Sequence, residues 1–96
     1  MNGILERTLA ILELLARHGQ GLELMAISEA LGIPKSAVHR LLASLIQAGY
    51  VRQLKDHGQY LLTTKLVSIG LSYLSQSGIV DMAQPLLNQL AEASGE

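Results

Sequence analysis

Four side chains near the middle of the chain have the types and spacing needed to read the edges of nucleic-acid bases. They are Lys35, Ser36, His39 and Arg40. Lysine and arginine bind guanine in the major groove, and hydroxyl or imidazole groups make looser base contacts. We therefore predict that Lys35, Ser36 and His39 contact base edges, although an exposed histidine can also be merely solvated. Arg40 lies one turn further on and could equally hold a phosphate through its planar guanidinium.

Two helices that meet at a tight turn would position these side chains. The first is predicted over LMAISEALG, where Gly32 can end it in a left-handed cap, and Pro34 supplies the fixed φ for the start of the second. Val38, Leu41, Leu42 and Leu45 recur at helical spacing and predict one buried face. The opposite face, from Lys35 to Ser44, is then free to enter a major groove about 12 Å wide.

A β-hairpin is predicted directly after the second helix. Residues 50–54 and 59–62 are prone to form strands, and Asp56-His57-Gly58 supplies the turn. The basic side chains expected near its tip are Arg52, Lys55 and His57. They could follow a phosphate strand or enter the neighbouring minor groove. The alternative is a hairpin that only covers the core.

Charge is distributed unevenly, although the net charge is only -1. Residues 33–65 contain five basic residues against one acid, and the remaining residues contain two basic against seven acidic. Residues 33–65, which hold most of the predicted contacts, therefore carry a net charge of +4, and the rest of the chain carries -5. Such a distribution would orient the molecule on a polyanion and keep nonspecific binding weak.

Composition limits the remaining possibilities. The chain of 96 residues is long enough for one small domain, and it contains no cysteine for a disulfide or a thiolate metal site. Nothing near its start resembles a signal peptide, and no apolar run approaches the roughly 20 residues that span a bilayer. We expect a cytoplasmic protein that needs neither a membrane nor a cofactor. The three histidines lie far apart and no catalytic motif is present, so an enzyme is not expected.

The helices outside this segment are more apolar than one buried face requires. Helix one, roughly residues 5–17, carries two apolar stripes, one of Leu5, Leu9, Leu12 and Ala16 and the other of Ile4, Ile11 and Leu15. A fourth helix is expected from Thr63 or Thr64 to about Ser77. Gly78 should then end the fourth helix, and a last helix is expected to begin near Asp81. We predict a seam for self-association or for a linker, formed by Ile4, Ile11, Leu15, Ile79, Ala83, Leu86 and Leu90. The alternative is a last helix folded back on its own domain.

The segments ERTLAILELL, AISEALGIPKSAVHRLL, AGYV, GQYLLTTKL and LLNQLAEASGE together resemble the N-terminal part of IclR-type bacterial transcriptional regulators. The resemblance covers essentially the whole chain. It implies a domain that binds double-stranded operator DNA as a homodimer, or as a tetramer of the full-length protein. It also implies a linker helix leading to a C-terminal domain that senses a small-molecule effector, so we interpret the chain as a fragment. It makes Arg7 a phosphate contact, the alternative being an ion pair with Glu6 or Glu13.

Three positions depart from the family pattern. Ala37 stands where threonine is frequent, and Thr63 replaces a frequent glycine after the hairpin. Glu23 stands where serine or threonine often caps the second helix, and its carboxylate would repel a nearby phosphate.

We conclude that the fold is mainly α with a small β-hairpin, a winged helix-turn-helix over residues 1–77 followed by a linker helix over residues 78–96. The predicted function is sequence-specific binding of a near-palindromic operator by a transcriptional regulator, which is either a repressor or an activator. The alternative is a winged-helix module for protein interaction or dimerisation without DNA contact.

Overall fold

A computed structural model describes residues 3–55 and 58–77, together with Pro85, Asn88 and Gln89. Its elements are α1 (Ile4–Ala16), α2 (Leu24–Leu31), α3 (Lys35–Ala48), β1 (Val51–Gln53), β2 (Tyr60–Leu62) and α4 (Lys65–Ser77). The strands form one antiparallel hairpin, in which Val51 pairs with Leu62 and Gln53 with Tyr60. The predicted mainly helical fold with a small hairpin is confirmed. In the described ranges, no helix is long and apolar enough to cross a membrane.

Helix α1 buries only one of its two apolar stripes. The carboxylate of Glu6 accepts a hydrogen bond from the Gly3 amide at 3.2 Å, which satisfies one free donor at the helix start. Ile11 and Leu15 of one stripe are fully or almost fully buried, whereas Leu5 and Leu9 of the other stripe are 69% and 47% exposed. Ile4, at the start of the helix, is 76% exposed. The assignment of Ile11 and Leu15 to a seam between subunits is therefore wrong, because both lie in the core of their own domain.

The turn between α2 and α3 is closed by Ser28, Gly32 and Ile33. Gly32 has the left-handed conformation (φ 65°, ψ 32°) expected from the sequence, and its amide donates to the Ser28 carbonyl. The Ile33 amide donates to the same carbonyl at 3.2 Å, and the Ser28 hydroxyl donates back to the Ile33 carbonyl at 2.6 Å. Pro34 is the N-cap of α3 rather than its first helical residue.

A short bridge ties the hairpin to the loop before α2. Leu22 and Tyr60 exchange two backbone hydrogen bonds, of 3.0 Å from the Leu22 amide and 2.8 Å from the Tyr60 amide. Gly21, next to the bridge, has a φ of 93°. The sequence did not predict this third line of pairing, which attaches the hairpin to the helix-turn-helix.

The chain forms two compact units, Met1–Lys65 and Leu66–Glu96. The core of the first unit takes residues from α1, α2, α3 and both strands: Ile11, Leu14, Leu15, Ile27, Ile33, Ala37, Val38, Leu42, Leu45, Val51 and Tyr60. In the second unit, α4 exposes Val67, Ile69, Leu71 and Tyr73. The predicted seam residues Ile79, Ala83, Leu86 and Leu90 lie outside the described residues.

Replacing Gly21 should destabilise the domain, because this glycine lies beside the bridge to the hairpin. A Cβ atom there would lie 2.9 Å from the Tyr60 carbonyl oxygen and 2.9 Å from Leu61 Cγ, on a backbone conformation that side chains disfavour. Gly21→Ala should lower the free energy of unfolding by about 1–3 kcal/mol, as measured by urea denaturation. Gly19→Ala is the matched control, since a Cβ there meets no atom within 4 Å. Equal stability of the two variants would contradict this account of the bridge.

Candidate nucleic-acid interface

Helix α3 has one buried face and one polar exposed face. Val38, Leu42 and Leu45 lie in the core. All five residues predicted to contact DNA from this helix are exposed: Lys35, Ser36, His39, Arg40 and Ser44. Ala37 is only 8% exposed and belongs to the core, so this departure from the family pattern does not lie on the exposed face. The folding of the helix against α1 and α2 thus presents its hydrogen-bonding groups together.

An open cleft of about 540 Å³ lies between the starts of α2 and α3 and the hairpin; we call it the wing cleft. Its lining consists of Glu23, Leu24, Met25, Lys35, His39, Gln53, Gly58 and Tyr60. The amide of Gln53 donates to the Gly58 carbonyl at 3.1 Å and so holds the base of the hairpin tip. The sequence predicted Lys35 and His39 as neighbours, but it did not predict that Gln53 and Glu23 share their cleft.

A second cleft, of about 290 Å³, lies between α1 and α3; we call it the α1 cleft. It is lined by Ile4, Arg7, Ala37, Arg40, Leu41 and Ser44. Arg7 Nε is buried without a hydrogen-bond partner, while the carboxylate of its neighbour Glu6 accepts from the Gly3 amide. A buried donor without an acceptor is unfavourable, so Arg7 Nε lowers the free energy of unfolding. The fold brings Arg7 and Arg40 into one cleft, although 33 positions separate them in the sequence, and two guanidinium groups there are suited to binding an anion.

The hairpin carries two of its three predicted basic contacts on exposed positions, Arg52 and Lys55. Lys55 has an unusual positive φ of 40° where the chain turns. Hydrogen bonds from Leu54 to Gln59 (2.9 Å) and from Gly58 to Lys55 (3.3 Å) close this turn. His57, the third predicted contact, lies outside the described residues.

The C-terminal end of α3 is held by residues that precede and begin α4. Lys65 Nζ donates to the Ala48 carbonyl at 2.8 Å and lies 4.7 Å from the centre of the Tyr50 ring. The Thr63 hydroxyl donates to the Gly49 carbonyl at 2.6 Å and accepts from the Lys65 amide at 3.3 Å. A cation at a helix C-terminus is favourable because the last carbonyls lack partners within the helix. Lys65 therefore has a structural role, and Thr63 also holds the C-terminal end of α3.

Comparison with known proteins places this geometry in a family. The IclR helix-turn-helix domain matches residues 4–55. The DNA-binding transcriptional repressor YiaJ of Escherichia coli is 41% identical over 94% of the chain and 32% of its own length. An IclR family transcriptional regulator from Brucella abortus is 32% identical with a TM-score of 0.71, over 86% of the chain and 32% of that protein.

A more distant likeness is to the ORF112-Zalpha domain of cyprinid herpesvirus 3, whose structure describes its binding to Z-DNA. It is 31% identical with a TM-score of 0.56, over 60% of this chain and 93% of that domain. The chain spans about a third of the length of the curated relatives it matches, which are named as regulators rather than enzymes. The family match covers more than half of the chain, including α2, α3 and β1, so the chain belongs to the IclR family of transcriptional regulators and contains its helix-turn-helix DNA-binding domain.

Proposed function

We propose that this domain recognises a specific operator by placing α3 in the major groove. The observation that carries the proposal is the exposed polar face of α3, which is flanked on either side by a cleft with basic side chains. A single helix fills the major groove, and its N-terminal residues then reach base edges. Lys35, Ser36 and His39 occupy the first two turns of α3.

The two clefts have different roles in this proposal. The wing cleft, with Lys35 and His39, receives base edges. The α1 cleft, with Arg7, Arg40 and Ser44, holds a backbone phosphate through its two guanidinium groups. Phosphate contacts fix the position of a protein on the duplex, whereas base contacts select the sequence. Arg52, Lys55 and His57 would follow the backbone beside the hairpin.

Two copies of the domain would bind one near-palindromic operator, with half-sites about 34 Å or a multiple of this distance apart. Support comes from apolar side chains that a water-exposed helix does not require, since Ile4, Leu5 and Leu9 on α1 are all exposed. Ile79, Ala83, Leu86 and Leu90 remain the proposed seam or linker residues. By its likeness to YiaJ, the protein would act as a repressor. A small-molecule effector would act through residues beyond this chain by shifting the spacing of the two domains.

Reversing charge on the exposed face of α3 tests the proposal directly. Lys35→Glu combined with Arg40→Glu should abolish binding to operator DNA, because both side chains would then repel the polyanion. Circular dichroism should show an unchanged fold, since both positions are exposed. DNA fragments retained by the unaltered domain at near-physiological salt supply the operator. A double variant that binds this operator as tightly would show that α3 does not read it. An unaltered domain that retains no DNA would favour a protein-interaction module instead.

Removing the guanidinium of Arg7 should weaken DNA binding without lowering the stability of the domain. Arg7→Met keeps an apolar stem in the α1 cleft and removes a buried donor without a partner, so stability should stay equal or rise by up to about 1 kcal/mol. Urea denaturation measures this difference, with the exposed Arg17→Met as the matched control. A clear loss of stability in Arg7→Met alone would mean that Arg7 serves the fold.

The dependence of DNA affinity on salt concentration should report the number of phosphate contacts. Arg40→Gln should reduce the slope of log K against log salt concentration by about 0.9 and weaken binding to all sequences similarly. Arg17→Gln removes the same charge from the end of α1, outside both clefts, and should leave the slope unchanged. If Arg40→Gln instead lost preference at one base pair and kept its slope, Arg40 would be a base contact.

A further inference from the structure

We propose that Glu23 is a specificity-determining residue that accepts a hydrogen bond from the amino group of a cytosine in the operator. This inference rests on the proposed function. Among the described residues that line the wing cleft, Glu23 is the only acid, and it lies there with Lys35 and His39. The cleft therefore offers a hydrogen-bond acceptor of full negative charge beside two potential donors.

The local structure leaves the Glu23 carboxylate available. Glu23 is the N-cap of α2 in extended conformation (φ -77°, ψ 159°), but its side chain makes no capping hydrogen bond to the first turn. Shorter side chains such as serine or aspartate usually accept from those amides. The side chain is exposed, so the carboxylate can meet a ligand without first leaving a buried site.

The negative charge of the Glu23 carboxylate limits which groups of DNA it can contact. A carboxylate is repelled by phosphates and by the O6, N7 and O4 acceptors of guanine and thymine. In the major groove, cytosine N4 and adenine N6 carry the amino donors. Adenine presents the N7 acceptor directly beside its amino group, where it would face the second carboxylate oxygen. Cytosine has no such acceptor on its major-groove edge, so it is the base that fits.

Lys35 supplies a complementary donor in the same cleft. Lysine binds the O6 and N7 acceptors of guanine, which cytosine faces within a base pair. The carboxylate of Glu23 and the ammonium group of Lys35 thus match the cytosine and the guanine of a G·C pair. Neither side chain matches an A·T pair as well. The wing cleft should therefore require a G·C pair at one place in each half-site.

Selection of random double-stranded DNA by the 96-residue chain tests this inference. The unaltered protein should select cytosine at one position per half-site. Glu23→Gln replaces the obligate acceptor with an amide that both donates and accepts, so the preference for cytosine over thymine there should fall about tenfold. Glu29→Gln is the matched control, because it removes the same charge from an exposed position of α2 outside the cleft.

Other results would overturn the inference in distinguishable ways. An unchanged base preference in Glu23→Gln would show that the carboxylate reads no base. Tighter binding to all sequences, with the preference intact, would show that Glu23 only repels the backbone. If the unaltered protein selected no sequence at all, the proposed function would fail and this inference with it. Circular dichroism of both variants shows whether α2 still forms.

Discussion

The turn centred on Gly32 is the constraint on which the rest of the domain depends. The Ser28 carbonyl accepts from the Gly32 and Ile33 amides, and the Ser28 hydroxyl donates to the Ile33 carbonyl. Ile33 is itself buried, so the turn is fixed both by hydrogen bonds and by packing. This short segment sets the direction in which α3 leaves α2. The exposure of every polar residue on α3 follows from that direction.

Helix α3 is held at both ends as well as along its buried face. At its C-terminal end, Gly49 takes a left-handed conformation, and Lys65 and Thr63 hydrogen-bond to the last free carbonyls. The hairpin is fixed in turn by the bridge between Leu22 and Tyr60. Contact groups on rigid elements lose little conformational entropy when they bind. The arrangement thus favours recognition by a preformed surface.

Positive charge is concentrated at particular sites rather than spread over the whole chain. A net charge of -1 gives the whole chain no general attraction to DNA. Lys35 instead lines the wing cleft and Arg7 and Arg40 line the α1 cleft, whereas Lys65 holds the end of α3. Glu23 within the wing cleft weakens attraction to the backbone without removing the donors beside it. DNA binding by such a surface depends more on the nucleotide sequence than binding by a surface of uniform positive charge does.

The sequence by itself determined the helices, the hairpin and the exposed face of α3, because these follow from local signals. Gly32 reveals a left-handed cap, and the spacing of Val38, Leu42 and Leu45 reveals a buried face. Tertiary structure decided which stripe of α1 is buried, since both stripes have helical spacing and only packing against other elements selects Ile11 and Leu15. It also decided the two clefts and the bridge to the hairpin. Those features join residues far apart in the chain, and no local pattern specifies such a meeting.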